Sequence, residues 1–75
     1  MLYIVHVLEN QSKRSFSSHK SAFQTFKVCA RQNKSAALWH CDAKGRWTIV
    51  HHSGFYPTAM TQPPSMLYDS HKGVA

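Results

Sequence analysis

The sequence predicts a small α+β domain: a three-stranded antiparallel sheet in the order β-α-β-β, one amphipathic helix across one face, and a flexible C-terminal tail. Three observations predict it. Residues 18–34 divide at the helical period into an apolar and a basic stripe, residues 2–8 (LYIVHVL) are rich in β-branched and aromatic residues, and residues 36–42 and 46–52 are short runs parted by a turn that ends in Gly45. A chain of 75 residues builds one core around one helix and one sheet, so a large enclosed active site is not expected.

In chain order, residues 2–8 are apolar at both alternating positions, which suits a strand flanked by neighbours in the middle of the sheet; His6 interrupts the Leu2, Ile4, Leu8 face as a partly exposed histidine. Residues 9–18 (ENQSKRSFSS) are polar and read as a loop, with Phe16 anchored beneath the entry to the helix. Ser17 or Ser18 is the expected N-cap, with no Glu following to complete a capping box, and Asn33 is a plausible helix stop because it tolerates the left-handed conformation. Ala22, Phe23, Phe26, Cys29 and Ala30 form the apolar stripe of the helix. Lys20, Gln24, Lys27, Arg31 and Lys34 form the opposite one, with no acidic residue between them.

The three residues Ala43, Lys44 and Gly45 between the last two runs are a hairpin signature in which glycine takes the left-handed bulge position. Pairing Asp42 with Arg46 puts Cys41 opposite Trp47, Trp39 opposite Ile49 and Ala37 opposite His51 on one side of the sheet. The other side then carries Leu38, His40, Thr48 and Val50. The Trp-bearing side has the bulk to cover Phe23 and Phe26 and is expected to face the helix, leaving the other side partly open. Residues 1–56 are thus expected to fold, and residues 57–75, with three prolines and no periodicity, to form the tail; Met66, Leu67 and Tyr68 are its one apolar cluster, a candidate linear contact motif.

The chain carries nine Lys and Arg against three Asp and Glu, a formal charge of +6, and residues 1–56 hold eight of those cations with two of the acids. That imbalance favours phosphate backbones or acidic protein surfaces as partners. Two cysteines are too few for a disulfide framework and suit a reduced cytoplasmic setting. The apolar start lacks a cationic n-region and a small-residue cleavage site, so no signal peptide is expected, and no run approaches the length of a membrane span. Six histidines raise the question of metal, but His40 and Cys41, like His51 and His52, point to opposite faces of their strands, so neither doublet gives two ligands to one site. No metal, no cofactor and no enzymatic activity are expected: Cys29 falls on the core stripe, Asp42 beside a turn, and no nucleophile, base and orienting group converge.

The candidate binding residues are therefore cations: Lys20, Lys27, Arg31 and Lys34 on the helix, Lys13 and Arg14 in the first loop, and Lys44 and Arg46 at the hairpin tip. Such groups reach phosphates while aromatics stack bases, but Trp39, Trp47, Phe23 and Phe26 are needed for the core, leaving Tyr3, Phe55 and Tyr56 uncommitted. No RNP-type aromatic motif, GXXG loop or zinc-finger spacing is present. In size, charge and element order across residues 1–56 the chain resembles the small phage-encoded proteins that dock on host machinery, including RNA polymerase-binding regulators and CRISPR inhibitors. Many of those are acidic DNA mimics, and this chain is basic. The resemblance implies a non-enzymatic regulator of transcription, cytoplasmic in the host cell, that docks on an acidic surface of RNA polymerase or on nucleic acid held by it. The alternatives are a sequence-independent DNA or RNA binder and a CRISPR inhibitor or other structural or assembly module. Oligomeric state is not legible in the sequence.

Overall fold

The computed structural model describes residues 2–59 and 63. It contains strands β1 (Leu2–Val7) and β2 (Ser12–Phe16), helix α1 (His19–Arg31), and strands β3 (Ala36–Cys41) and β4 (Trp47–His52). The sheet is antiparallel with the order β2-β1-β3-β4, so it has four strands where three are expected. The additional strand is β2, the segment Ser-Lys-Arg-Ser-Phe that reads as a loop. It holds one apolar residue and lies at an edge, where side chains meet solvent and an apolar alternation is not required. Its pairing with β1 runs from Tyr3 opposite Phe16 to Val7 opposite Ser12. The connecting turn puts Gln11 at φ 53° and closes with Asn10 Oδ1 accepting from the Ser12 amide at 3.1 Å.

Helix α1 is shorter than residues 18–34, but its ends fall where the capping chemistry places them. Ser18 is the N-cap, its hydroxyl accepting from the Ser21 amide at 3.4 Å. At the other end Asn33 adopts φ 59°, its amide donates to the Ala30 carbonyl and that of Lys34 donates to Cys29, the paired bonds of a Schellman motif with asparagine in the usual glycine position. Ala22 and Phe26 are buried, and Phe23, Cys29 and Ala30 are partly buried against the same core.

That core joins α1 to Val5, Val7, Ala36 and Leu38, flanked by Tyr3 and Phe16. The Trp-bearing side faces away from the helix, contrary to expectation. Cys41 lies opposite Trp47 and Trp39 opposite Ile49 as predicted, but a register shift between Leu38 and Trp39 leaves Val50 unpaired and sets His51 opposite Leu38 and His52, in place of His51, opposite Ala37. This bulge turns the His51 ring onto the helix side, 4.8 Å from that of Phe23 and 5.8 Å from that of Phe26.

The second face is closed too. Ile4, Ala37 and Trp39 are buried there under Tyr56, with Trp47 and Ile49 alongside. Chain reversal at Gly54 makes this possible: Gly54 sits at φ 62°, and a Cβ on it would lie 2.7 Å from Ser35 Oγ and 2.9 Å from Ser35 Cα. Tyr56, one of the aromatics without a role in the sequence reading, is therefore a core residue, and His6 is buried rather than partly exposed. The indole Nε1–H of Trp39 donates to the Tyr56 hydroxyl at 3.0 Å, which leaves the hydroxyl proton for His6 Nδ1 at 2.6 Å. Burial raises the pKa of Tyr56, while the Trp39 bond opposes the rise. Of the expected tail, Pro63 is buried, and the Met66–Tyr68 cluster lies outside the described residues.

Two stability measurements test this packing. Phe26→Ala is expected to cost about 3–5 kcal/mol by leaving a cavity between helix and sheet, read as the shift in a urea unfolding curve. Tyr56→Phe keeps the ring but removes the hydroxyl that accepts from the buried Trp39 indole and bonds His6 Nδ1, and is expected to cost about 1–3 kcal/mol. An unfolding midpoint unmoved by Tyr56→Phe rules out the buried network as a source of stability.

Candidate functional site

The eight cations expected to bind fall in three places. Lys20, Lys27 and Arg31 are exposed along one flank of α1, together with Gln24, and Lys34 follows half-buried past the helix end. Their flank is the one that meets β4. Lys27 Nζ lies 5.4 Å from the centroid of the Phe23 ring, and that ring lies between His19, stacked at 5.7 Å with 12° between planes, and His51 at 4.8 Å. His19 in turn meets Tyr3 edge-on at 5.5 Å, and Tyr3 lies 5.0 Å from His40. A strip of rings thus borders the cationic flank.

Lys13 and Arg14 belong to β2 rather than to a loop and project to opposite faces of the sheet, Lys13 with His6 and Arg14 with Val5. The Arg14 guanidinium carbon lies 5.4 Å over the Phe16 ring, on the flank of α1 remote from the Lys27 stripe. Lys44 and Arg46 form the hairpin tip, where Gly45 takes φ 81° as its spacing predicts. There Asp42 Oδ1 accepts from the amides of Lys44 at 2.9 Å and Arg46 at 3.0 Å, and Arg46 Nε donates to Asp42 Oδ2 at 3.1 Å. The structure therefore unites Lys20, Lys27 and Arg31 and separates them from the β2 pair. Arg46 is already engaged with a carboxylate, so it is the weakest of the expected contacts.

At the end of the sheet where α1 stops, one residue gathers three segments. The Ser35 amide donates to both Glu9 carboxylate oxygens at 2.9 Å, its carbonyl accepts from Leu8, and its hydroxyl accepts from the Phe55 amide at 3.0 Å. Ser53 Oγ adds a bond to the Lys34 carbonyl at 2.8 Å. This knot fixes the turn that carries Phe55, whose side chain is 95% exposed although the residues around it are held on all sides. Phe55 and Tyr3 are among the aromatics that the sequence leaves uncommitted, but the strip that joins Tyr3 to His19, Phe23, His40 and His51 has only a tertiary signal, since an exposed and a buried ring look alike in a sequence.

Among the described residues no group of three or more His, Cys, Asp or Glu is placed to hold a metal ion, and no helix is long and apolar enough to cross a membrane. Cys29 and Cys41 are both free thiols and partly buried. No family model, no curated protein and no solved structure matches this chain.

The carboxylates generate a pH prediction. The Ser35 amide holds the Glu9 pKa below its ordinary 4.5, and the Arg46 and Lys44 amides, Arg46 first, hold Asp42 below 3.8. Depressed folded-state values mean that the native state favours the ionised forms, so their contribution is present above about pH 4.5 and fades as pH falls through the lowered values. Urea unfolding between pH 7 and pH 2 is expected to show this acid loss, and Glu9→Gln is expected to flatten part of it. An identical pH profile for the variant contradicts the assignment.

Proposed function

We propose that this chain is a non-enzymatic binding protein that docks on a polyanion through the cationic flank of α1. In its fuller form, supported by the resemblance to small phage-encoded regulators, the partner is the transcription machinery: an acidic surface of RNA polymerase or the nucleic acid it holds. The observation that carries the reading is the alignment of exposed Lys20, Lys27 and Arg31 on one helix flank. Of these, Lys27 and Arg31 stand four residues apart, a like-charge spacing that costs an isolated helix about 0.2–0.5 kcal/mol, and an anionic surface reverses that cost. The net charge of +6 adds long-range attraction toward the same class of partner.

A second reading, sequence-independent binding of DNA or RNA, is favoured by the rings. His19, Phe23 and His51 lie beside the cations, and Phe55 is presented in the open at the end of the sheet where Lys34 lies. Cations for phosphates with rings for bases is the arrangement by which single strands are held without sequence readout.

The double variant Lys27→Gln/Arg31→Gln tests the docking flank. Circular dichroism is expected to show an intact helix, with stability changed by no more than about 0.5 kcal/mol. Binding to labelled single-stranded DNA, to duplex DNA and to purified RNA polymerase, each at several salt concentrations, reads the partner. Loss of two phosphate contacts lowers the slope of log affinity against log salt by about two. Weaker binding with slower association to polymerase alone favours the protein partner, and the same change on DNA favours the nucleic-acid reading. Full-strength binding of every probe by the folded double variant overturns the docking flank.

A further inference from the structure

We propose that the outer edge of β2, with the groove between it and α1, binds an extended acidic peptide segment as an added strand that places one apolar side chain in the groove. This goes beyond the polyanion reading and rests on different residues, on the opposite flank of the helix. The groove encloses about 280 Å³. Val5 and Val7 floor it, Val28 and Cys29 form its helical wall, and Ser12 and Arg14 stand on its β2 side. Val28 is half exposed there, an apolar helical residue outside the core stripe.

The sheet has two edges, and they differ. At β4 the bulge at Val50 breaks the regular spacing of backbone groups, a device that discourages further pairing. At β2 the register with β1 is regular throughout, and among the described residues no strand pairs with its outer side. A segment laid along that side gains main-chain hydrogen bonds, and its alternate residues point toward the helix face. Ser12 is the small residue on that face, so a side chain opposite it passes over the strand into the groove. The next residue on the same face of the added strand comes beside Arg14, which is exposed and stands on the groove's rim.

Charge decides the occupant. Arg14 is the middle residue of β2, so a second copy pairing antiparallel about its centre sets Arg14 against Arg14, with Lys13 nearby on both strands. Like charges directly opposite destabilise a strand pair, so the edge repels its own kind. Nucleic acid supplies negative charge but neither a strand backbone nor an apolar side chain of the size that the groove takes. An extended segment with an aliphatic residue flanked at alternate positions by carboxylates supplies all three.

The probe is a capped, fluorescently labelled peptide of the order threonine, glutamate, threonine, leucine, threonine, glutamate, threonine, titrated with the full chain by anisotropy. Binding is expected, with amide chemical-shift changes confined to residues 12–16 and 25–29. Arg14→Glu and Val28→Glu, each checked for a native circular dichroism spectrum, are expected to weaken it by about tenfold or more. So are peptides with leucine replaced by serine or with N-methylated alternate amides. Lys27→Gln/Arg31→Gln is expected to bind the peptide undiminished, which separates this site from the polyanion flank. No binding to the wild-type chain, equal binding by folded Arg14→Glu and Val28→Glu, or shift changes centred on Lys27 and Arg31 each overturns the proposal. A concentration-dependent dimer in sedimentation whose formation shifts the amide signals of residues 12–16 overturns it in favour of a second copy on the same edge.

Discussion

Strands β1 and β3 are apolar on both faces, and everything else in the molecule follows from the need to cover them twice. Ile4 and Val5 point in opposite directions, as do Leu38 and Trp39, and all four side chains are essentially inaccessible. One helix covers one face of a sheet. The other requires a second cover, which the chain supplies by turning sharply at Gly54 and laying Tyr56 across Ile4 and Trp39. Because Tyr56 carries a hydroxyl, it brings a polar atom into an apolar layer, where an unpaired hydroxyl is costly. Trp39 and His6 answer it with one donor and one acceptor, so the hydroxyl is satisfied.

The same demand explains why the cations lie where they do. With both faces of the inner strands covered, the described cations lie on the outer flank of α1 and just past its end, on the edge strand and at the hairpin tip, and each of those places gives them a different setting. The tip holds Arg46 in an ion pair with Asp42. The edge strand divides Lys13 and Arg14 between faces. Among the described residues only the helix gathers three exposed cations on one surface, since residues spaced at the helical period share a flank. The two flanks of α1 are chemically distinct, one bordered by rings and cations, the other by an aliphatic groove with a single arginine, and they suit different partners.

Much of the helix was legible in advance. Ser18, Asn33 and the apolar stripe from Ala22 to Ala30 act locally, through capping bonds and a periodicity that no other part of the chain needs to complete. The hairpin at Gly45 was legible for the same reason, as was the central position of β1. The strand β2 was not, because an edge strand with one apolar residue has the composition of a loop, and its pairing with β1 is what makes it a strand. Nor was the orientation of the Trp-bearing face, since bulk alone does not say which of two apolar faces meets the helix.

The sequence by itself determined the local elements and the charge: a capped helix with one apolar and one basic stripe, a glycine-closed hairpin, a strand apolar at every position but one, and an excess of cations. These are consequences of backbone preference and periodicity within a few residues. The tertiary structure decided the rest. A bulge of one residue at Val50 turned His51 to the helix, the backbone freedom of Gly54 turned Tyr56 inward and Phe55 outward, and β2 left a groove beside α1 because the helix packs chiefly on the inner strands. Each of these depends on which distant segments compete to cover the same apolar surface, and that competition is settled by packing in three dimensions rather than by the preference of any residue for its neighbours.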